Sequence, residues 1–206
     1  ATPFEWSGEV NAVLLNGVGV AAEMAGSKEC ALPVIDVEAG KTYRVRFVGS
    51  LAISLVSFGI EGHSDMHVIA ADGRYTKPHR VDYMQITSGQ RFDVLLETKS
   101  ANDIAEKTDW VIQFETKDRP SLYTGFGILR YSSAAPSTNS TPRASPLHLP
   151  NDTYNFLEYA LEPLAPNGFP IADEVTRRVH ITNQQLLQST IIWQMDGLNW
   201  TEDQAY

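Results

Sequence analysis

Up to residue 131 the apolar side chains recur in short runs separated by turn signals. Alternation is clearest over Thr42–Val48, where Tyr43, Val45 and Phe47 point one way and Arg44 and Arg46 the other. Period-two alternation marks a strand with one face in a core and one in water. Similar runs of β-branched and aromatic residues predict strands at Glu9–Leu15, Val34–Val37, Ile53–Ile60, Met66–Ala70, Val81–Thr87, Arg91–Glu97, Trp110–Glu115 and Gly125–Tyr131. Turns fall at Asn16-Gly17, Glu38 to Lys41, Ala71-Asp72-Gly73 and Ser88-Gly89-Gln90, each with a residue that tolerates positive φ or bonds its own backbone. Regular short strands between such turns predict an all-β sandwich over residues 1–131.

Beyond Tyr131 the pattern breaks. Residues 132–150 are rich in Ser, Thr, Pro, Ala and Asn, a composition that buries too little apolar surface to order itself and reads as a linker. Asn151–Leu164 places apolar residues at Tyr154, Leu157, Ala160, Leu161 and Leu164 behind Asp152, which suggests a short helix or a docked segment. Strand-like runs return at Thr176–Thr182 and Thr190–Met195, followed by an Asp196-Gly197 turn. Two strands are marginal alone. Residues 151–206 must therefore either pack on the preceding domain or belong to a domain whose remainder is missing.

Charge narrows the function classes. The 206 residues carry a formal net charge of −9, which argues against nucleic acid as a partner because phosphates call for a basic face. No apolar run approaches the ~20 residues that cross a bilayer, so no membrane partner is expected. Cys30 is the single cysteine, too few for a thiolate zinc site. Asn139, Asn151 and Asn199 each begin an N-x-S/T glycan acceptor, which points to a secreted glycoprotein.

Five pieces in order carry a resemblance: Leu14-Leu15-Asn16-Gly17, Val34 through Arg46, Ile60-Glu61-Gly62-His63, Ala71-Asp72-Gly73 and Ser88-Gly89-Gln90-Arg91. Together they resemble the second domain of fungal laccase-like multicopper oxidases. His180 to Gln185 and Trp193 to Leu198 are similar to the opening strands of the third domain in the ascomycete branch. The resemblance implies a Greek-key sandwich of cupredoxin type with no copper site. Its implied role is to space outer domains that carry the copper, and its implied partners are the first and third cupredoxin domains. The parent's implied reaction is oxidation of phenolic or related organic substrates with reduction of dioxygen to water. By itself the segment is expected to be inactive.

The candidate chemistry agrees with that expectation. A blue-copper centre needs two imidazoles and a thiolate, and Cys30 has no histidine close after it. None of His63, His67, His79, His148 and His180 is two residues from another, so no catalytic, cofactor-binding or metal residue is assigned. The nearest metal-like spacing, His63 to His67, follows a turn and does not lie on a helix. The resemblance implies a substrate-pocket loop at Leu51, Ala52 and Ile53, where this sequence has no acid, and an interdomain disulfide from Cys30. Glu61 and Asp72 sit in turns, where capping of backbone groups is expected. Trp6, Trp110, Trp193 and Trp200 read as core or interface residues; exposed tail aromatics would favour self-association. The competing reading is a free-standing secreted β-sandwich that binds a partner without copper.

Overall fold

The computed structural model describes residues 10–19, 32–119, 122–132, 145–150, 156–166, 168–187 and 191–199. The chain divides into two compact units, the larger spanning Trp6–Pro166 and the smaller taking in Asn167–Tyr206. Cys30, Asn139, Asn151, Trp6 and Trp200 lie outside the described residues.

The larger unit contains nine strands: β1 Val34–Val37, β2 Thr42–Val48, β3 Leu55–Ile60, β4 Met66–Ala71, β5 Arg74–Val81, β6 Met84–Thr87, β7 Arg91–Glu97, β8 Asp109–Lys117 and β9 Thr124–Tyr131. They form a five-stranded sheet in the order β1-β9-β8-β3-β6 and a four-stranded sheet in the order β2-β7-β4-β5. β1 and β9 pair in parallel, whereas every other pairing is antiparallel. The apolar sets of the two sheets meet in one core. Val56, Phe58, Ile112, Phe114 and Leu129 come from the first; Val68, Phe92, Val94 and Leu96 come from the second. Phe47 of β2 packs on Phe58 of β3 with ring centroids 4.6 Å apart.

The predicted strands β1, β2 and β7 have their expected bounds. Three expectations need correction. Over Val10–Leu15 only Leu15 pairs, with Val18 across the Asn16-Gly17 turn (2.8 and 3.0 Å). Both central residues take positive φ, 52° and 78°, which closes a two-residue turn while the arm before it finds no neighbouring strand. β5 was not expected, because Lys77, Pro78, His79 and Arg80 interrupt any apolar alternation. It lies at a sheet border, where proline and charge are tolerated. The predicted run Val81–Thr87 is divided between the end of β5 and β6.

No α-helix occurs among the described residues, and none is long and apolar enough to cross a membrane. Leu157–Tyr159 forms a single 3₁₀ turn, after which the chain runs along β5 as a strap. There Lys77 N donates to the Glu162 carbonyl (2.8 Å) and Leu164 N to that of Tyr75 (3.0 Å). Residues at the end of the low-complexity stretch also have partners. Buried Leu149 and half-buried Leu147 cover Gly59, and the Gln113 amide bonds the Leu147 backbone.

The smaller unit holds a three-stranded sheet of β10 Asn183–Leu187, β11 Ile191–Met195 and β12 Leu198–Asn199. β11 fits the predicted run, but residues 176–182 lie outside any strand, and pairing starts at Asn183. Asp196 fixes the start of this sheet: its backbone N donates to the Thr182 carbonyl (2.8 Å) and its carboxylate accepts from Thr182 N (2.7 Å). Cross-strand register puts Trp193, Met195 and Leu198 on one face, and all three are exposed.

Candidate functional site

The loop expected to face a substrate runs from Gly49 to Ser54, between β2 and β3. Gly49 is clamped to the β6–β7 turn, donating to the Gln90 carbonyl and accepting from Gly89 N, both at 2.8 Å. A Cβ at Gly49 would stand 2.1 Å from the Thr87 carbonyl oxygen, so glycine is required for that approach. Ala52 takes φ 51°, and Ser54 N donates to the Leu51 carbonyl (2.9 Å). Leu51 leans on the core while Ile53 is 65% exposed. The guanidinium of Arg119 donates to the Ile53 carbonyl, tying this loop to the one after β8. The outward surface is therefore an apolar tip on a braced base, with no carboxylate in residues 49–54.

The turn acids act on the backbone, as their positions suggested. Glu61 accepts from Val111 N at 3.1 Å and pairs with Lys107 at 2.5 Å. Asp72 accepts from Arg91 N at 3.0 Å.

His63 sits below the β3–β4 turn and is 5% exposed. Its Nδ1 lies 2.7 Å from the Glu61 carbonyl, which can only accept, so Nδ1 carries the proton. Nε2 is then the acceptor for the Tyr131 hydroxyl, also at 2.7 Å. That hydroxyl accepts in turn from Lys99 N at 2.8 Å. Burial pushes the imidazole below its ordinary range; the Glu61 carbonyl draws it back, and nearby Lys99 lowers it again. Burial likewise pushes the Tyr131 phenol up.

Trp110 meets His63 edge to face at 5.6 Å, with Lys99 Nζ at 4.6 Å and Lys107 Nζ at 4.5 Å from its ring centre. Gly62 has φ 65°, and a Cβ there would collide with the indole at 2.6 Å. The sequence alone does not bring the cluster around Tyr131 together, since its partners are 32 and 68 residues away. The invisible signal was a histidine after a turn glycine, which acquires meaning only when β9 is placed beside it.

Both nitrogens of His63 are thus engaged, and His67 stands on β4, 4.0 Å from Asp65. Among the described residues no group of three or more His, Cys, Asp or Glu side chains could hold a metal ion. Asn199 is exposed on β12 and its side-chain Oδ1 accepts from the Gln194 side-chain amide.

The sequence profile of the multicopper oxidases matches residues 1–134. The chain is 36% identical to laccase-like multicopper oxidase 1 of Thermothelomyces thermophilus, covering 98% of this chain and 39% of that protein. It is 37% identical to multicopper oxidase aurL2 of Gibberella zeae (98% and 37%) and 41% identical to multicopper oxidase terE of Aspergillus terreus (85% and 34%). The chain therefore spans less than two fifths of each of these relatives. In fold it is similar to a mutant of the laccase from B. aclada (TM-score 0.67, 20% identity, 89% of this chain and 33% of that one). It is also similar to Fet3p, a multicopper oxidase that functions in iron import (TM-score 0.63, 20% identity, 84% and 32%).

Proposed function

The chain belongs to the multicopper oxidase family, with fungal laccase-like oxidases as relatives over nearly its whole length, and on that footing we propose that it is the copper-free middle of a longer oxidase. In this reading residues 1–131 are the second cupredoxin domain, residues 132–150 the connection, and residues 151–206 the opening of the third domain. The observation that carries it is coverage: the chain matches these oxidases over 85–98% of its own length but spans only 34–39% of theirs. Copper chemistry is then supplied by the parts of the parent that this chain, at under two fifths of its relatives' length, does not span.

The exposed face of Trp193, Met195 and Leu198 supports the same reading, since a three-stranded sheet with one apolar face calls for a covering layer. In the parent that layer is the remainder of the third domain; in isolated chains the same face drives self-association. In this reading Leu51, Ala52 and Ile53 form an apolar wall of the pocket for phenolic or related organic substrates, and the missing acid favours those held by contact area over simple phenols. The parent couples their oxidation to reduction of dioxygen to water, outside the cell, with glycans on Asn139, Asn151 and Asn199 and a disulfide from Cys30 to the first domain.

The test is copper content and visible absorption of the purified 206-residue chain after copper loading and dialysis. Baseline copper and no blue band are expected. Stoichiometric copper retained through dialysis would overturn the proposal and make the segment a metalloprotein in its own right.

A further inference from the structure

We propose that Tyr131 and His63 form a proton-coupled one-electron oxidation site, with Trp110 as its relay toward the surface. The geometry is that of a phenol with its base already in place. The Tyr131 O–H is 2.7 Å from His63 Nε2, inside the range for direct proton transfer. The orientation of the imidazole is fixed from behind by the Glu61 carbonyl on Nδ1, so Nε2 is the basic nitrogen. Tyr131 is 1% exposed, so no bulk water competes for the proton. A phenol that loses an electron becomes a strong acid, and a buried phenol is oxidised readily only when a base takes the proton in the same event. His63 is that base.

Trp110 connects the pair to solvent. Its ring is half-buried and lies edge to face with His63 at 5.6 Å, while His63 stacks on Tyr131 with centroids 6.0 Å apart. Two features make the indole a poor resting place for an electron hole. Lys99 and Lys107 place ammonium groups 4.6 and 4.5 Å from its centre, which stabilises the neutral ring and destabilises its radical cation. Among the described residues no protein acceptor meets its buried Nε1–H, so no described group takes that proton from the oxidised indole. The charged groups facing the pair are Glu61, which favours an imidazolium at His63, Lys99, which opposes it, and Asp103 beside Tyr131.

A one-electron oxidant of the organic-radical or cupric class takes one electron from Trp110, leaving an indole radical cation. Tyr131 passes one electron to that cation and its hydroxyl proton to His63 Nε2. The products are neutral Trp110, a Tyr131 phenoxyl radical and a His63 imidazolium, with charge conserved. The O–H bond of Tyr131 breaks and the N–H bond of His63 forms. A reductant that later returns one electron to Tyr131 reverses the proton transfer and resets the site.

The experiment is pulse radiolysis of the 206-residue chain with azide radicals, which oxidise indole ahead of phenol. The wild-type chain is expected to show indolyl absorption decaying as phenoxyl absorption grows, in a first-order step independent of protein concentration and slowed in heavy water. Tyr131→Phe should remove most of that step, and His63→Gln should slow it by about tenfold or more. Trp110→Phe should abolish the fast phase. An unchanged rate and yield in Tyr131→Phe would overturn the assignment. Should the variants fold poorly, the wild-type chain decides alone. The step must slow as pH falls through the titration of His63, because a protonated imidazole cannot accept, and a rate indifferent to pH would refute the site.

Discussion

The side-chain amide of Gln113 closes on both backbone groups of Leu147, its Nε2 donating to the carbonyl and its Oε1 accepting the N–H, each at 2.9 Å. Gln113 is fully buried on β8, so this pair stitches the end of a low-complexity stretch to the sheet as a backbone strand would. Replacing Gln113 by Ala strands two peptide groups and opens a gap. We expect a loss of roughly 2–4 kcal/mol, read as a lower urea midpoint. Amide exchange at Leu147 and Leu149 should rise well before the rest of the domain opens.

Acid should weaken the larger unit through His63. Its folded pKa is lowered, so the folded state prefers the neutral ring and the unfolded chain binds the proton first. The stabilisation from this group is complete above the unfolded value near 6.5 and is lost as pH falls through the lower folded value. Urea midpoints measured from pH 7.5 down to 5 should decline. In His63→Gln the same series should be flatter over that window.

Gly49 sets the base of the candidate pocket loop. Gly49→Ala forces a Cβ into a space 2.1 Å from the Thr87 carbonyl, so β2 or the β6–β7 turn must move. A cost of about 1–3 kcal/mol is expected, with faster exchange of the Gly49 and Gly89 amides. Equal stability of the variant and the parent chain would show that the clamp is dispensable.

Thr98 joins three backbone groups at the end of β7. Its hydroxyl lies 2.7 Å from the Glu38 carbonyl and 2.9 Å from that of Lys41, and accepts from Lys41 N at 2.8 Å. Thr98→Val keeps the shape and removes the hydrogen bonds, for an expected loss of about 1–3 kcal/mol. Thr98→Ser should cost less than Thr98→Val, as thermal unfolding of the two variants would show.

Much of this was legible in the sequence where burial and period coincide. β2 and β7 show it: each alternates cleanly, and the pattern of each gives its bounds to the residue. β5 was hidden because a border strand need not be apolar, and Pro78 argues against a strand unless its place at the border is known. Thr176–Thr182 looked like a strand by its β-branched residues, yet pairing began at Asn183, where the Asp196 side chain sets the register. The pocket loop was found through resemblance alone; its clamp at Gly49 depends on Thr87, 38 residues away in sequence. Tyr131 was placed on its strand, but its hydroxyl contacts belong to the tertiary fold and leave no local trace.

The strap along β5 has a bearing on how the protein behaves in crowds. With Glu162 and Leu164 bonded to that strand, the border of the four-stranded sheet left unpaired among the described residues is β2. Two copies meeting there antiparallel about Val45 would set Arg44 of each against Arg46 of the other, a like-charge collision. Colloidal behaviour is thereby divided between a fastening and a repulsion. Protease nicking near the strap would unfasten one border, and concentrated salt would mute the other, so the two insults together open a route to fibrous growth that neither opens alone.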